Sequence, residues 1–293
     1  MTAQVIANII VTGSLYALAG VGFSLAFNTA RFFNFSFGAI IALGGYTAHL
    51  LLTEDTLLLA PILLVALLGV GIFGALLDVA IFRRLRRRGA SNLIFLLASL
   101  GLLVVIQNLL SVVFGDGTMS FWALNTYGDG LVIFGARITR IQAVSVILCN
   151  GFIFFTWLFM KATKLGKLIL AVSNNPELSA IVGVNVDRVI VAAFYISSIC
   201  AASVGLFIAM DVGMTPTMGF RPLLMAVVAT IIGGGGSIPG IVVGGFFIAS
   251  VQHLVAWGLS TQWQDAIVFL ILLVFLFIRP RGLIGRKNSA AGI

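Results

Sequence analysis

The sequence is 293 residues long and 60% hydrophobic, with 9% charged residues and a formal net charge of +8. So much apolar surface excludes an ordinary soluble domain, in which about 25% of residues are charged. The positive charge does not indicate nucleic-acid binding, because the basic residues stand directly beside long apolar runs, as in cytoplasmic loops of membrane proteins. The composition predicts an all-α, polytopic integral membrane bundle in contact with lipid, forming one transmembrane domain over residues 1–293.

A helix that crosses a bilayer needs about 20 apolar residues, and the apolar runs predict eight or nine such helices. No basic residue precedes the first run, so we interpret it as a true span and not as a cleavable signal. Cys149 and Cys200 lie within spans and are interpreted as buried side chains, not as a disulfide framework. The predicted spans cover residues 5–27, 36–53, 57–82, 92–114, 140–160, 189–211, 222–235, 240–258 and 263–279.

Three basic clusters indicate the orientation. They lie at residues 83–88, 161–188 and 279–287. Two predicted spans separate the first pair of clusters and four separate the second pair, so all three clusters face the same side. The positive-inside rule assigns that side to the cytoplasm. The N-terminus and the sizeable loop at 115–138 are then external, and the basic residues left outside are Arg137, Arg140 and Arg221.

A polar pair stands in an aromatic stretch between the first two spans. Asn34 and Ser36 are surrounded by four phenylalanines, and Phe37 and Gly38 follow. Polar side chains at such a place can line a cavity or satisfy backbone groups where a helix breaks inside a membrane. The same pattern also fits a solvated loop with aromatic residues at the membrane interface. The residues alone leave both interpretations open.

A short amphipathic helix is predicted in the second basic loop. Asn175 is a suitable N-cap, Pro176 suits the first helical position, and Glu177 complements the positive end of the helix. Gly183 suits a left-handed stop. The helix is too short to be stable alone, so its apolar side must pack on its own protein or on a cytoplasmic partner. That side consists of Leu178, Ile181 and Val182.

A glycine-rich segment at 233–240 predicts a sharp turn between two spans. Four consecutive glycines followed by a proline do not continue a helix cheaply. The segment lacks the Lys-Ser/Thr pair that a phosphate-binding loop requires after its last glycine. The turn residues that we single out are Gly236, Pro239 and Gly240.

Charged and catalytic groups inside the predicted spans are scarce. Asp78, Asp211 and Asp265 fall near span ends, and His49 and His253 are isolated. Secondary transporters and proton relays usually keep such groups within the membrane. The sequence therefore disfavours an ion-coupled secondary transporter, which stays the alternative function, and an integral-membrane enzyme. We predict no catalytic set, no metal site and no cofactor.

These motifs together resemble the permease subunits of branched-chain amino acid ABC importers, the Liv type. The similarity covers residues 8–285 and is carried by 13–18, 34–38, 175–185, 236–240 and 279–283. Among the two permease types of that family, this chain resembles the first. The resemblance implies a non-enzymatic transport subunit in a bacterial inner membrane. It also implies a second related permease, two cytoplasmic ATP-binding subunits and an extracytoplasmic solute-binding protein as partners.

The resemblance also implies roles for the singled-out residues. Residues 175–183 correspond to the family's ATPase-coupling segment, and residues 34–38 are expected to contribute to the translocation path. The family commonly has histidine where this chain has Phe37. The solute therefore stays open between branched-chain amino acids and other small polar solutes, such as other amino acids, urea, amides or carboxylates.

The orientation can be tested by labelling single cysteines with a membrane-impermeant reagent. We expect Arg87→Cys to react only after the membrane is opened, because all three basic clusters face the cytoplasm. A cysteine placed in the 115–138 loop serves as the external control. Labelling at position 87 in intact cells refutes the orientation.

Overall fold

Helices form nearly all of the regular structure. The computed structural model describes residues 2–51, 59–120, 130–133, 135–279 and 282–283. A π-helical turn at Asp78–Phe82 joins α3 to α4, and a 3-10 turn at Thr261–Trp263 precedes the last helix. The elements are α1 (Thr2–Ala30), α2 (Ser36–Leu51), α3 (Leu59–Leu77), α4 (Arg83–Arg87), α5 (Asn92–Phe114), β1 (Leu131–Ile133), β2 (Ala136–Ile138), α6 (Arg140–Ala162), α7 (Lys164–Asn174), α8 (Pro176–Ile181), α9 (Val186–Asp211), α10 (Phe220–Gly233), α11 (Ile238–Gly258) and α12 (Gln264–Ile278).

The all-α membrane bundle predicted from the sequence is confirmed. In the described part of the chain, seven helices are long and apolar enough to cross a membrane, and two shorter apolar helices accompany them. The shorter ones are α2, with 16 residues, and α10, with 14. Both fall short of the roughly 20 residues of a full span. The first helix is longer than predicted and runs without interruption from Thr2 to Ala30.

The described residues pack as two compact units, and neither unit is a continuous stretch of chain. The first contains residues 1–24, 127–154 and 224–293, and the second contains 25–126 and 155–223. The boundary cuts α1, α6 and α10, so three helices contribute to both units. The prediction of a single domain over residues 1–293 stays a prediction.

The first unit has an apolar core between α10, α11 and α12. Its buried residues include Tyr16, Met225, Ile232, Ile248 and Val268. Two hydrogen bonds made by polar side chains join different helices of this unit. The Thr230 hydroxyl donates to the Gly20 carbonyl oxygen at 3.1 Å, and the Gln252 amide donates to an Asp265 carboxylate oxygen at 2.9 Å. Such pairs satisfy polar groups that have no water available.

The second unit is built around α2 and α9, whose backbones approach closely. A side chain at Gly44 would collide with the Ala202 backbone, and one at Gly205 would collide with the Ile41 carbonyl oxygen. Small residues permit this approach, which is the usual basis of helix packing in membranes. Cys200, in the same helix pairing, is buried.

Two loops contain structure that the sequence analysis did not predict. The 161–188 loop contains α7 in addition to α8. The 115–138 loop contains an antiparallel hairpin in which Val132 pairs with Arg137. Residues 121–129 of that loop and most of the third basic cluster, including Arg281, Arg286 and Lys287, lie outside the described residues.

The close packing of α2 and α9 predicts a cost for one added methyl group. We expect Gly205→Ala to lower the stability of the bundle by about 1–3 kcal/mol, because the new Cβ meets backbone that cannot move aside. Gly101→Ala is the matched control, since position 101 is an exposed helical site with open space. It should stabilise α5 by about 0.5–1 kcal/mol. Thermal unfolding in detergent distinguishes the two, and equal midpoints would contradict the packing.

Candidate functional site

The predicted cytoplasmic helix is present as α8 and is capped at both ends. The Asn175 side-chain oxygen accepts a hydrogen bond from the Leu178 amide at 3.0 Å, and Pro176 stands in the first turn. The Ser179 hydroxyl donates to the Asn175 carbonyl oxygen at 2.7 Å. Gly183 ends the helix with a φ of +89°, a conformation that favours glycine. These local bonds order a helix of six residues that is too short to persist otherwise.

The apolar side of α8 is exposed in the isolated chain. The exposed fractions are 57% for Leu178, 81% for Ile181 and 77% for Val182, and Glu177 is exposed beside them. Only Ser179 of this helix is buried. The structure therefore does not show the apolar side of α8 packed on its own protein. These three large aliphatic side chains form an exposed apolar patch of the kind that binding partners cover.

The helix before α8 fixes where α8 begins. Thr163 caps α7 by accepting from the Gly166 amide at 3.0 Å. Gly166, Ile169 and Val172 are buried, and a side chain at Gly166 would collide with the Phe159 carbonyl oxygen. The sequence signal was the spacing of three small or apolar residues at i, i+3 and i+6 within a basic loop. This signal is weak in the sequence because the loop is too polar to form a span.

Charge pairs fix the chain after α8. Asn185 caps α9, and Asp187 in the first turn lies 3.0 Å from Arg83 Nε and 3.4 Å from Arg87 Nη2. Both Arg86 terminal nitrogens bond the fully buried Asp78 carboxylate, at 2.8 and 2.9 Å. Three arginines of the first basic cluster therefore join α4 to the start of α9. The sequence predicts only that Asp78 lies near a span end, and it reveals neither pairing.

The 31–38 segment forms a buried connection between α1 and α2. Asn34 is 3% exposed and Ser36 is fully buried. The Asn34 side-chain oxygen accepts from the Ser36 amide at 3.1 Å and from the Ser36 hydroxyl at 2.6 Å, so the pair caps α2. A solvated loop does not describe this connection. Phe37 and Gly38 are buried in the first turn of α2.

Aromatic and hydroxyl contacts hold this break in place. The Phe32 ring lies 4.9 Å from the Phe82 ring and 4.7 Å from the Phe95 ring, measured between centroids. The Ser99 hydroxyl accepts from the Phe35 amide at 3.1 Å. The break is therefore packed between α5 and the π-helical turn after α3. The role of residues 34–38 in a translocation path stays a prediction.

The glycine-rich segment makes the predicted change of direction between α10 and α11. Gly234 has a φ of +89°, and the Ser237 hydroxyl caps α11 by accepting from the Gly240 amide. Gly236 lies in the turn itself, whereas Pro239 and Gly240 already belong to α11. No group of three or more His, Cys, Asp or Glu suited to a metal ion occurs in the described part of the chain.

Comparison with known proteins places these features in a family. Residues 5–276 match the family model of the branched-chain amino acid transport system permease component. The chain is 28% identical to the high-affinity branched-chain amino acid transport system permease protein LivH of Salmonella typhimurium, over 96% of this chain and 94% of that protein. It is 27% identical to LivH of Escherichia coli K12, with the same two coverages. It is 26% identical to BraD of Pseudomonas aeruginosa, over 97% of this chain and 96% of that protein.

The family match and the seven long apolar helices of the described residues both support a membrane-embedded transport protein. The chain is a multi-pass protein of the bacterial inner membrane, as predicted from its sequence. It belongs to the family of branched-chain amino acid ABC transporter permease components.

Proposed function

We propose that this chain is the first of two related permease subunits in an ABC importer for branched-chain amino acids or related small polar solutes. The two permeases would form the translocation path together, two cytoplasmic ATP-binding subunits would supply energy, and an extracytoplasmic solute-binding protein would deliver the solute. Family membership supports the permease role. The observation that carries the rest is the capped, exposed helix α8.

Energy must enter a passive channel former through a contact with another protein. Burial of Leu178, Ile181 and Val182 would each stabilise that contact by about 1.5–3 kcal/mol before ordering costs. Their exposure in this chain leaves that area available. Glu177 lies beside the apolar side of α8 and could supply a charged group at the edge of the contact. We infer that α8 inserts into a groove of the ATP-binding subunit.

A pair of identical substitutions tests this proposal. We expect Val182→Asp to reduce co-purification of the ATP-binding subunits and uptake by at least about tenfold, because a carboxylate without a partner would be buried in the groove. Val212→Asp is the control, since Val212 follows the opposite end of α9 and is 76% exposed, against 77% for Val182. It should change either quantity by less than about twofold.

Full retention of the ATP-binding subunits by the Val182→Asp protein would show that the contact lies elsewhere. A wild-type chain that takes up solute without ATP-binding subunits, driven by an ion gradient, would overturn the importer proposal itself and favour the secondary transporter.

We also propose that residues 34–38 contribute to the translocation path, as in the family pattern. The structural support is a buried polar pair at a helix break, where polar groups are otherwise costly. Both Asn34 bonds to Ser36 use the amide oxygen, so capping alone needs only an oxygen.

A substitution that keeps a capping oxygen separates the two roles of Asn34. Asn34→Ser retains a side-chain oxygen that can accept from the amide two residues on and removes the side-chain NH2 group. The thermal midpoint should therefore hold while uptake by the assembled complex falls severalfold. Normal uptake with normal assembly would mean that Asn34 only caps α2.

A further inference from the structure

Arg31 holds a backbone conformation that suits glycine. Its φ is +59°, and it is the one non-glycine residue with a positive φ among the residues that the structure describes. A residue with a side chain is less stable in the left-handed region, because its Cβ approaches the following carbonyl oxygen. Strain of this kind persists where the side chain or the backbone has a task, and an observed outlier is a reason to search for one.

The Arg31 side chain makes a long-range contact. Its Nη2 donates to the Asn174 carbonyl oxygen at 3.0 Å, across 143 positions of sequence. Asn174 is the last residue of α7, where free carbonyl groups favour a nearby cation. The next residue is Asn175, the cap of α8. The guanidinium therefore bonds the backbone at the point where α8 begins.

The backbone of Arg31 belongs to the break between α1 and α2. Its backbone amide donates to the Phe27 carbonyl oxygen at 2.8 Å, which closes the last turn of α1. The next side chain, Phe32, is 3% exposed and is packed against the Phe82 and Phe95 rings. The residue that follows Arg31 is therefore anchored in a buried aromatic cluster.

The two ends of α8 are held differently. After α8, Asp187 is shared by Arg83, Arg86 and Arg87, so no single arginine carries that connection. Before α8, the Arg31 guanidinium links the Asn174 carbonyl oxygen to the break through one hydrogen bond. One substitution at Arg31 is enough to remove it.

We propose that Arg31 is a positioning residue that transmits movement of α8 to the break between α1 and α2. This inference rests on the proposed function, since α8 moves only if an ATP-binding subunit holds it. The Arg31 guanidinium follows the Asn174 carbonyl group, and the strained backbone carries that displacement to Phe32 and to the start of α2. Neither the family comparison nor the sequence pattern assigns this residue a role.

Arg31→Gly separates coupling from stability. Glycine relieves the strained φ and removes the guanidinium, so the thermal midpoint should be unchanged or raised. The ATP-binding subunits should still co-purify. Uptake should fall at least tenfold, and stimulation of ATP hydrolysis by solute-loaded binding protein should fall to the basal rate. Arg31→Lys keeps a cationic donor for the Asn174 carbonyl group and should retain at least half of wild-type uptake.

Arg188→Ala is the control for loss of a cytoplasmic positive charge. Arg188 is exposed, and its side chain has no hydrogen bond or ion pair within the described ranges. This variant should transport normally.

Three outcomes overturn the inference. The first is normal uptake by Arg31→Gly, and the second is a lowered thermal midpoint of that variant with loss of the ATP-binding subunits. The third is failure of Arg31→Lys to retain uptake. A wild-type chain that retains no ATP-binding subunit would instead overturn the proposed function.

Discussion

The contact between α2 and α9 is the interaction on which the second unit depends. Apolar side chains gain little by leaving lipid for one another, so membrane helices associate through close packing and hydrogen bonds. Here glycines at positions 44 and 205 let the two backbones touch. α2 has 16 residues, too few to cross a bilayer as a free helix. It is stable because α3, α5 and α9 surround it. A short helix inside a ring of longer ones can begin at a break without exposing that break to lipid.

Charge pairs join the arginine-rich turn after α3 to the start of α9. A π-helical turn widens the helix at Asp78–Phe82. The arginines that follow divide between two acidic partners, Asp78 and Asp187. Arg86 pairs bidentately with a carboxylate that has no exposure at all. A buried pair of this kind gives little net stability, but loss of one partner leaves an unpaired charge inside the protein. The arrangement therefore fixes where the arginine-rich turn lies relative to the start of α9.

The sequence predicted those elements whose signals are local. Long apolar runs gave the spans, and Asn175, Pro176 and Gly183 gave both ends of α8, because caps act within one turn of the helix that they terminate. It failed where the deciding partner is remote. Asp187 lies about a hundred positions from its arginines, and nothing near Arg31 in the chain reveals a bond to Asn174. α7 was missed since its apolar side is only one face of a basic segment, and the hairpin was missed because its strands have three residues each.

The capping of α8 has a consequence for the rate at which the proposed complex would assemble. A segment that folds only on its partner loses backbone entropy at the moment of binding, about 1–2 kcal/mol for each residue fixed. In this chain Asn175, Ser179 and Gly183 impose the helical shape beforehand. The backbone entropy of this segment is therefore lost when the chain folds and not when a partner binds. An ATP-binding subunit would then meet a preformed surface, and its dissociation would leave that surface ready to accept another subunit.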